Sequence, residues 1–155
     1  MIEKVKAYLK EFDLDTRIQE FSESSATVLD AAIALNNEPK RIAKTLAFRL
    51  DAEALLVVCA GDARVDNAKF RTAFNMKARM LSPEETLELV GHAIGGVCPF
   101  GIPNTCHVYL DTSLQRFNTV FPACGSSNSA IEMNLKELEL CSQSKGWVDV
   151  CKDWI

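Results

Sequence analysis

Apolar residues recur every three to four positions in several segments of this chain, which predicts helices. The first stripe is formed by Ile2, Val5, Leu9 and Phe12, and it predicts a helix over residues 2–12. Small polar residues that cap helix N-termini precede further segments of this kind. The predicted later helices begin at Ser24–Ser25, at Asp66, at Ser82 and at Asn134, and the first three of them end near Asn36, Phe74 and Gly91.

Short apolar runs and alternating segments predict strands in the rest of the chain. They cover residues 17–21, 45–50, 54–59, 93–96, 106–110, 118–121, 130–133 and 146–150. Strands dominate the second half, and helices do not alternate regularly with them. This order predicts an α+β fold with a mixed sheet that curls into a partial barrel. The absence of repeats and long linkers predicts one domain over residues 1–155.

Composition narrows the class of protein without naming a reaction. The chain has 155 residues, of which 48% are hydrophobic and 25% charged, as in ordinary globular proteins. Its apolar runs are too short to cross a bilayer, and its start does not resemble a signal peptide, so we expect a cytoplasmic protein with no membrane contact. The six cysteines form no CxxC pair and are expected to stay reduced. No glycine pattern for a dinucleotide or nucleotide is present, and no cofactor or metal is predicted.

Charge is unevenly distributed along the chain. The net charge is −4, yet residues 40–80 hold nine Lys and Arg against four Asp and Glu. A basic region on an acidic protein suits a small anionic target better than a long nucleic-acid duplex.

Lys44 is the candidate binding residue with the clearest physical reason. It lies within the apolar segment Ile42–Phe48, next to Thr45, where a cation must reach solvent or meet an anion. Two glycine-bearing loops follow, at residues 95–101 and 123–127. Lysine and backbone amides together could bind a phosphate or a carboxylate.

Other catalytic arrangements have weaker support. His92 and His107 are the chain's two histidines, and each is interpreted as structural. They fit no common zinc spacing with Cys98 and Cys106. Cys98 and Cys124 lie in the glycine-bearing loops and leave a thiol-dependent enzyme open as an alternative. No Gly-x-Ser-x-Gly pattern marks a serine nucleophile, and no general base can be named.

Three motifs of the chain are similar, in their residues, order and separation, to those of the YbaK/ProX family of aminoacyl-tRNA deacylases. Ile42–Phe48 resembles the family's lysine-bearing segment. Gly95–Pro99 matches its GxxxP loop, and residues 123–126 resemble its glycine–serine loop. The resemblance extends over roughly residues 20–140.

The resemblance implies an α+β editing domain that hydrolyses the ester of a mischarged tRNA, foremost a tRNA for proline carrying a small non-cognate amino acid. It implies aminoacyl-tRNA, held by its CCA end, as the partner, with a prolyl-tRNA synthetase as a second candidate partner. By carry-over, Lys44, Gly125 and Ser126 are the catalytic residues. The substrate-binding residues carried over are Thr45, Gly95, Gly96 and Pro99. A binding module of the same fold, which senses a charged tRNA, a nucleotide or an amino acid without turnover, is the alternative.

The sequence departs from the residue patterns of the members of this family that are specific for alanine or for cysteine. Alanine-specific members carry asparagine after the lysine, where this chain has Thr45, and a histidine near the glycine–serine loop, where this chain has none. Cysteine-directed members tend to carry an aspartate a few residues after that loop, and this chain has none at the expected place unless Glu132 or Asn128 substitutes for it. The amino acid removed therefore stays open.

Overall fold

The computed structural model describes residues 2–155 of the chain. Five α-helices occur in this part, and none of them is long and apolar enough to cross a membrane. They are α1 (Ile2–Lys10), α2 (Val28–Leu35), α3 (Asn67–Phe74), α4 (Pro83–Val90) and α5 (Leu135–Ser142). Short 3-10 turns cover Asp15–Arg17, Pro39–Arg41 and Thr112–Arg116.

Ten strands form one large sheet and two small ribbons. In chain order they are β1 (Gln19–Glu20), β2 (Ile42–Leu50), β3 (Glu53–Ala60), β4 (Arg64–Val65), β5 (His107–Asp111), β6 (Thr119–Pro122), β7 (Ser129–Ala130), β8 (Met133–Asn134), β9 (Trp147–Val148) and β10 (Cys151–Lys152). The large sheet has the order β8-β6-β2-β3-β5-β9, while β1 pairs with β7 and β4 with β10. Parallel and antiparallel pairs are mixed in it, and the sheet curls into a half-barrel. The predicted α+β fold with a mixed, barrel-like sheet is confirmed.

β3 is the centre of the core. Residues 54–60 on it are all buried, because β2 and β5 flank it in the sheet and helices and loops cover its faces. Its unbroken apolar sequence is typical of a strand buried on both faces. On the neighbouring strand β2, Phe48 packs on Phe70 of α3 with ring centroids 4.8 Å apart. The core thus holds β2 firmly in place, and β2 carries Lys44.

The helix starts follow local capping chemistry, with one correction. Asp66 accepts a hydrogen bond from the Lys69 amide, and both Ser82 and Asn134 form complete capping boxes, as predicted. The prediction that Ser24–Ser25 caps α2 is wrong. Thr27 is the cap, and its hydroxyl accepts from the Asp30 amide, because residues 24–26 turn away to contact another loop.

Several strand boundaries differ from the predicted ones, because contacts between distant segments, and not local preference, decide which residues pair. β2 begins at Ile42, three residues earlier than predicted, because β6 pairs with Ile42 and Ala43. Residues 93–96 form a turn and not a strand. The predicted strand 130–133 is divided between β7 and β8, which pair with different partners. In the predicted strand 17–21, only Gln19–Glu20 is extended and paired.

Candidate active site

A gap in the pairing of β2 defines the candidate site. Along one edge, β2 pairs with β6 at Ile42 and Ala43, and with residues 79–81 at Ala47 and Arg49. No strand of the described chain pairs with residues 44–46 on that edge. Backbone groups of alternate residues face the same edge of a strand. The amide and carbonyl of Thr45 therefore face this gap, on the same edge on which Ala47 and Arg49 form hydrogen bonds to residues 79–81.

A cavity of about 270 Å³ fills the gap. Its walls come from the start of α2, from β2, from the turn at residues 94–97 and from the loop at residues 123–130. Apolar and small side chains dominate the lining: Ala26, Val28, Ala31, Ile42, Ala43, Leu46, Ala47, Met80, Leu81, Ile94, Gly95, Val97, Phe121, Ala123 and Ala130. Among the described residues that line it, Lys44 is the single titratable side chain. Such a cavity suits a small, mostly apolar group attached to an anionic or strongly polar one.

Lys44 has little to neutralise it. Its Nζ lies 3.5 Å from the carbonyl oxygen of Gly61, which is a long hydrogen bond. Within the described chain, no carboxylate lies within 4.0 Å of this ammonium. The lysine is half-buried and lines the cavity, so it is a cation with capacity to bind an anion.

Thr45 adds a second polar group without a partner. Its hydroxyl oxygen is buried, and no hydrogen-bond partner within residues 2–155 contacts it. Leaving a buried hydroxyl unsatisfied costs about 1–3 kcal/mol. The residue lines the cavity, and a ligand there could form the missing bond. The sequence named Thr45 as a substrate-binding residue, and the structure places it beside Lys44 at the cavity.

The two glycine-bearing loops are in direct contact. A Cβ atom on Gly96 would lie only 2.7–2.9 Å from backbone atoms of Gly125 and Ser126, so only glycine fits there. Gly95 has a φ of +96°, and its Cα faces Ala26 at the start of α2. The structure therefore brings together the two loops that the sequence singled out, and Gly95 lines the cavity with Lys44.

The glycine–serine loop is held from its other side by the segment before α2. The amides of Phe21 and Ser25 donate to the carbonyls of Asn128 and Ser127, at 2.7 and 2.6 Å. The Ser126 hydroxyl lies 2.6 Å from the hydroxyl of Ser129, which is buried and lines the cavity. Ser126 thus contacts the cavity through Ser129.

Four of the predicted site residues do not line the cavity. Gly96, Gly125 and Ser126 lie directly behind its wall, where Gly96 packs against the backbone of the other two. Pro99 is buried on the far side of its loop and lines a different cavity, of about 300 Å³. The roles carried over to these residues remain predictions, and the structure shows contact with the cavity for Lys44, Thr45 and Gly95.

The thiols are poorly placed for nucleophilic catalysis. Cys98 and Cys124 are fully buried, and burial raises the pKa of Cys98 to about 12 and raises the pKa of Cys124 as well. All six cysteines are free thiols. His92 is also fully buried, its Nε2 lies 2.8 Å from the Phe100 carbonyl, and burial lowers its pKa. These observations disfavour the thiol-dependent alternative. Within residues 2–155, no cluster of three or more potential metal ligands occurs.

Several lining residues were not found from the sequence. Ser25, Thr86, Met80, Ile94 and Ser129 belong to segments that lie far apart in the chain. Their hydroxyl and apolar side chains are common in caps and cores, so no local pattern marks them. Contact between segments alone identifies them.

Comparison with known proteins gives the class to which this architecture belongs. Residues 22–140 match the family model of the aminoacyl-tRNA editing domain. The chain belongs to this family, which confirms the resemblance drawn from the three motifs.

Individual relatives agree with that assignment. The chain is 53% identical to the uncharacterized protein YwhH of Bacillus subtilis (strain 168), over 99% of this chain and 98% of that protein. It is 23% identical to a proline–tRNA ligase of Listeria innocua over 68% of this chain, which corresponds to 19% of the ligase. A crystal structure described as a "putative trans-editing enzyme for prolyl tRNA synthetase" superimposes with a TM-score of 0.87, at 29% identity, over 97% of this chain and 96% of that one.

Proposed function

We propose that this protein is a trans-editing deacylase, which hydrolyses the ester of a mischarged aminoacyl-tRNA in the cytoplasm. The substrate proposed is a tRNA for proline that carries a small non-cognate amino acid. The observation that carries this proposal is the 270 Å³ cavity, in which Lys44 is the single titratable lining residue of the part of the chain that the structure describes. Membership of the editing-domain family and similarity to proline–tRNA ligases support it.

The cavity's two kinds of lining match the two parts of an aminoacyl ester. The apolar and small residues around Gly95 would receive the amino-acid side chain and limit its size. Thr45, with its unpartnered hydroxyl and its free backbone edge, would bind the amino or carbonyl group of the substrate. Lys44 would bind the terminal adenosine's phosphate or stabilise negative charge on the ester carbonyl.

Hydrolysis by this site does not need a side-chain base. An aminoacyl ester is already activated, and orientation together with electrostatic stabilisation supplies much of the rate. The nucleophile would be a positioned water, the neighbouring ribose hydroxyl or the substrate's own side chain. Ser126 contacts Ser129 of the cavity wall, and Gly125 packs against Gly96 behind that wall, so we propose that they shape the site from behind.

Size selection explains why a separate editing protein is useful. A hydrophobic pocket distinguishes one methylene by only about 1–3 kcal/mol, so a synthetase makes errors with amino acids of similar size. A second cavity that admits small side chains and excludes the cognate one would correct these errors. A sensor that binds the same ligands without hydrolysis is the competing proposal.

The test is ester hydrolysis over a panel of tRNAs for proline charged with Pro, Ala, Cys, Ser, Thr or 2-aminobutyrate. Wild type should remove at least one non-cognate amino acid and spare Pro. Lys44→Ala should lower the rate by about 100-fold or more while the circular dichroism spectrum and the Tm stay unchanged. If charged tRNA binds but decays no faster than in buffer, the sensor proposal replaces this one. If Lys44→Ala retains full activity, Lys44 is not part of the site.

A further inference from the structure

A second groove continues from the cavity across Lys44. Its volume is about 310 Å³, and it shares three lining residues with the cavity: Lys44, Leu46 and Met80. The rest of its lining comes from Phe48 and Ala78 on one side, and from Arg64, Val65 and Asn67 on the other. Lys44 therefore lies at the junction between two adjoining spaces. A ligand whose polar group is held at Lys44 could extend into both of them.

The far side of the groove carries Arg64, and a second cation lies beside Arg64 just outside the groove lining. Arg64 on β4 lies directly opposite Lys152 on β10 in an antiparallel ribbon. Residues opposite each other point to the same face, and like charges in such a pair destabilise it. Both side chains are exposed, and no carboxylate of the described chain lies within 4.0 Å of either. An uncompensated pair of this kind can bind an anion.

Three acidic groups around this ribbon are already engaged, and a fourth, Asp153, follows Lys152 and forms no ion pair with Lys152 or Arg64. Asp66 caps α3, and its backbone hydrogen bond from Lys69 is the largest cause of its lowered pKa, with a smaller contribution from Lys152. Asp149 pairs with the Lys69 ammonium at 3.2 Å. Asp62 accepts two hydrogen bonds from Arg116. None of these carboxylates neutralises Arg64 at contact distance.

We infer that this groove is a nucleotide subsite, which binds the nucleotide on the 5′ side of the aminoacylated adenosine in a single-stranded RNA end. Arg64 and Lys152 would hold its phosphate, and the apolar wall of Leu46 and Met80 would contact its base. Met80 is 62% exposed, as a surface that receives a base should be. This inference rests on the proposed function, because it takes the aminoacyl group to lie in the cavity beyond Lys44.

The first experiment measures binding without any reaction. Fluorescently labelled CpCpA is titrated with wild type, Arg64→Gln, Lys152→Gln and a control, Lys136→Gln, whose lysine is exposed on α5 away from the groove lining. Arg64→Gln should weaken binding about 10-fold at low salt. The slope of log K against log salt should become shallower by about 0.7. Lys152→Gln should show the same change to a smaller degree, and Lys136→Gln should bind as wild type does.

The second experiment separates the groove from the cavity. Wild type and Arg64→Gln are compared on aminoacyl-adenosine, which lacks the phosphate, and on aminoacyl-tRNA. Arg64→Gln should raise KM for the tRNA and leave hydrolysis of the adenosine ester unchanged. The inference is overturned if wild type does not bind CpCpA, if Arg64→Gln binds it equally well, or if both esters are affected alike. Arg64-dependent binding without any hydrolysis would support the groove and remove the deacylase proposal.

Discussion

Two cations lie on either side of the turn at Gly61–Asp62, and their surroundings differ completely. Arg116 donates to both carboxylate oxygens of Asp62, at 3.0 and 2.6 Å, and its guanidinium lies over the rings of Phe117 and Trp154, 4.8 and 4.9 Å from their centroids. Its hydrogen bonds are the main reason that the pKa of Asp62 is lowered. Among the described residues, the Lys44 ammonium has one polar contact, a long one to the carbonyl of Gly61.

The difference separates stabilising chemistry from binding chemistry. Arg116 has its partners within the protein, so it fixes the turn and the segment that carries Trp154. The charge of Lys44 and the hydroxyl of Thr45 both remain available to a ligand, and both residues line the cavity. We therefore expect changes at the Arg116 side to affect mainly stability, and changes at the cavity to affect mainly activity.

Lys44→Met compared with Arg116→Met tests that separation most directly. Lys44→Met should lower deacylation by about 100-fold or more with little change in the free energy of unfolding. Arg116→Met should lower that free energy by about 2 kcal/mol, because it leaves the partly buried Asp62 carboxylate without its partner. Urea titrations and initial rates measure the two quantities. Equal losses of stability in both variants would contradict the comparison.

Gly96→Ala tests whether backbone contact builds the cavity wall. The added methyl would meet backbone atoms of Gly125 and Ser126 at less than 3 Å, so one loop must move. We expect a loss of about 1–3 kcal/mol in stability and a lower kcat/KM. Thermal unfolding and ester hydrolysis measure these effects. Wild-type values of both would show that the contact between the loops does not matter.

The buried His92 should make the stability of the fold depend on pH. Burial lowers its pKa in the folded state, so the unfolded chain binds the proton more readily. The stabilisation is complete above the unfolded pKa of about 6.5 and falls as pH drops below it. The Tm of wild type should therefore decrease from pH 7.5 to pH 5.5 by more than that of His92→Gln. The same decrease in both proteins would assign the effect to other groups.

Cys98→Ala and Cys124→Ala should have the smallest effect on turnover. Both thiols are buried and protonated at neutral pH, so neither should act as a nucleophile. Each variant should hydrolyse the ester at close to the wild-type rate, and iodoacetamide should not inactivate the wild type rapidly. Loss of activity in one variant, with an unchanged Tm, would restore the thiol-dependent alternative.

The sequence was most informative where structure is decided by neighbours along the chain. The caps at Asp66, Ser82 and Asn134 were predicted because each is a contact within four residues. The apolar run of β3 and the α+β class were also predicted, since periodicity reports burial. The three motifs identified the family, and they placed Lys44 and Gly95 among the candidate residues.

Contacts between distant segments decided the rest. The start of β2 depends on β6, the cap of α2 depends on where residues 24–26 go, and the division of residues 130–133 depends on two different partner strands. Pairing partners of this kind leave no mark in a local pattern, because each segment alone is compatible with several conformations.

For this protein, the sequence by itself determined the fold class, most helix starts, the family and the lysine on which its chemistry is proposed to depend. Only the tertiary structure decided that, within residues 2–155, no strand pairs with residues 44–46 on the edge away from β3, and that α2 and two loops enclose the resulting gap as a cavity. It alone showed that Ser129, and not Ser126, lines that cavity. The physical reason is that a cavity is the space left between segments, and its shape depends on how they pack together.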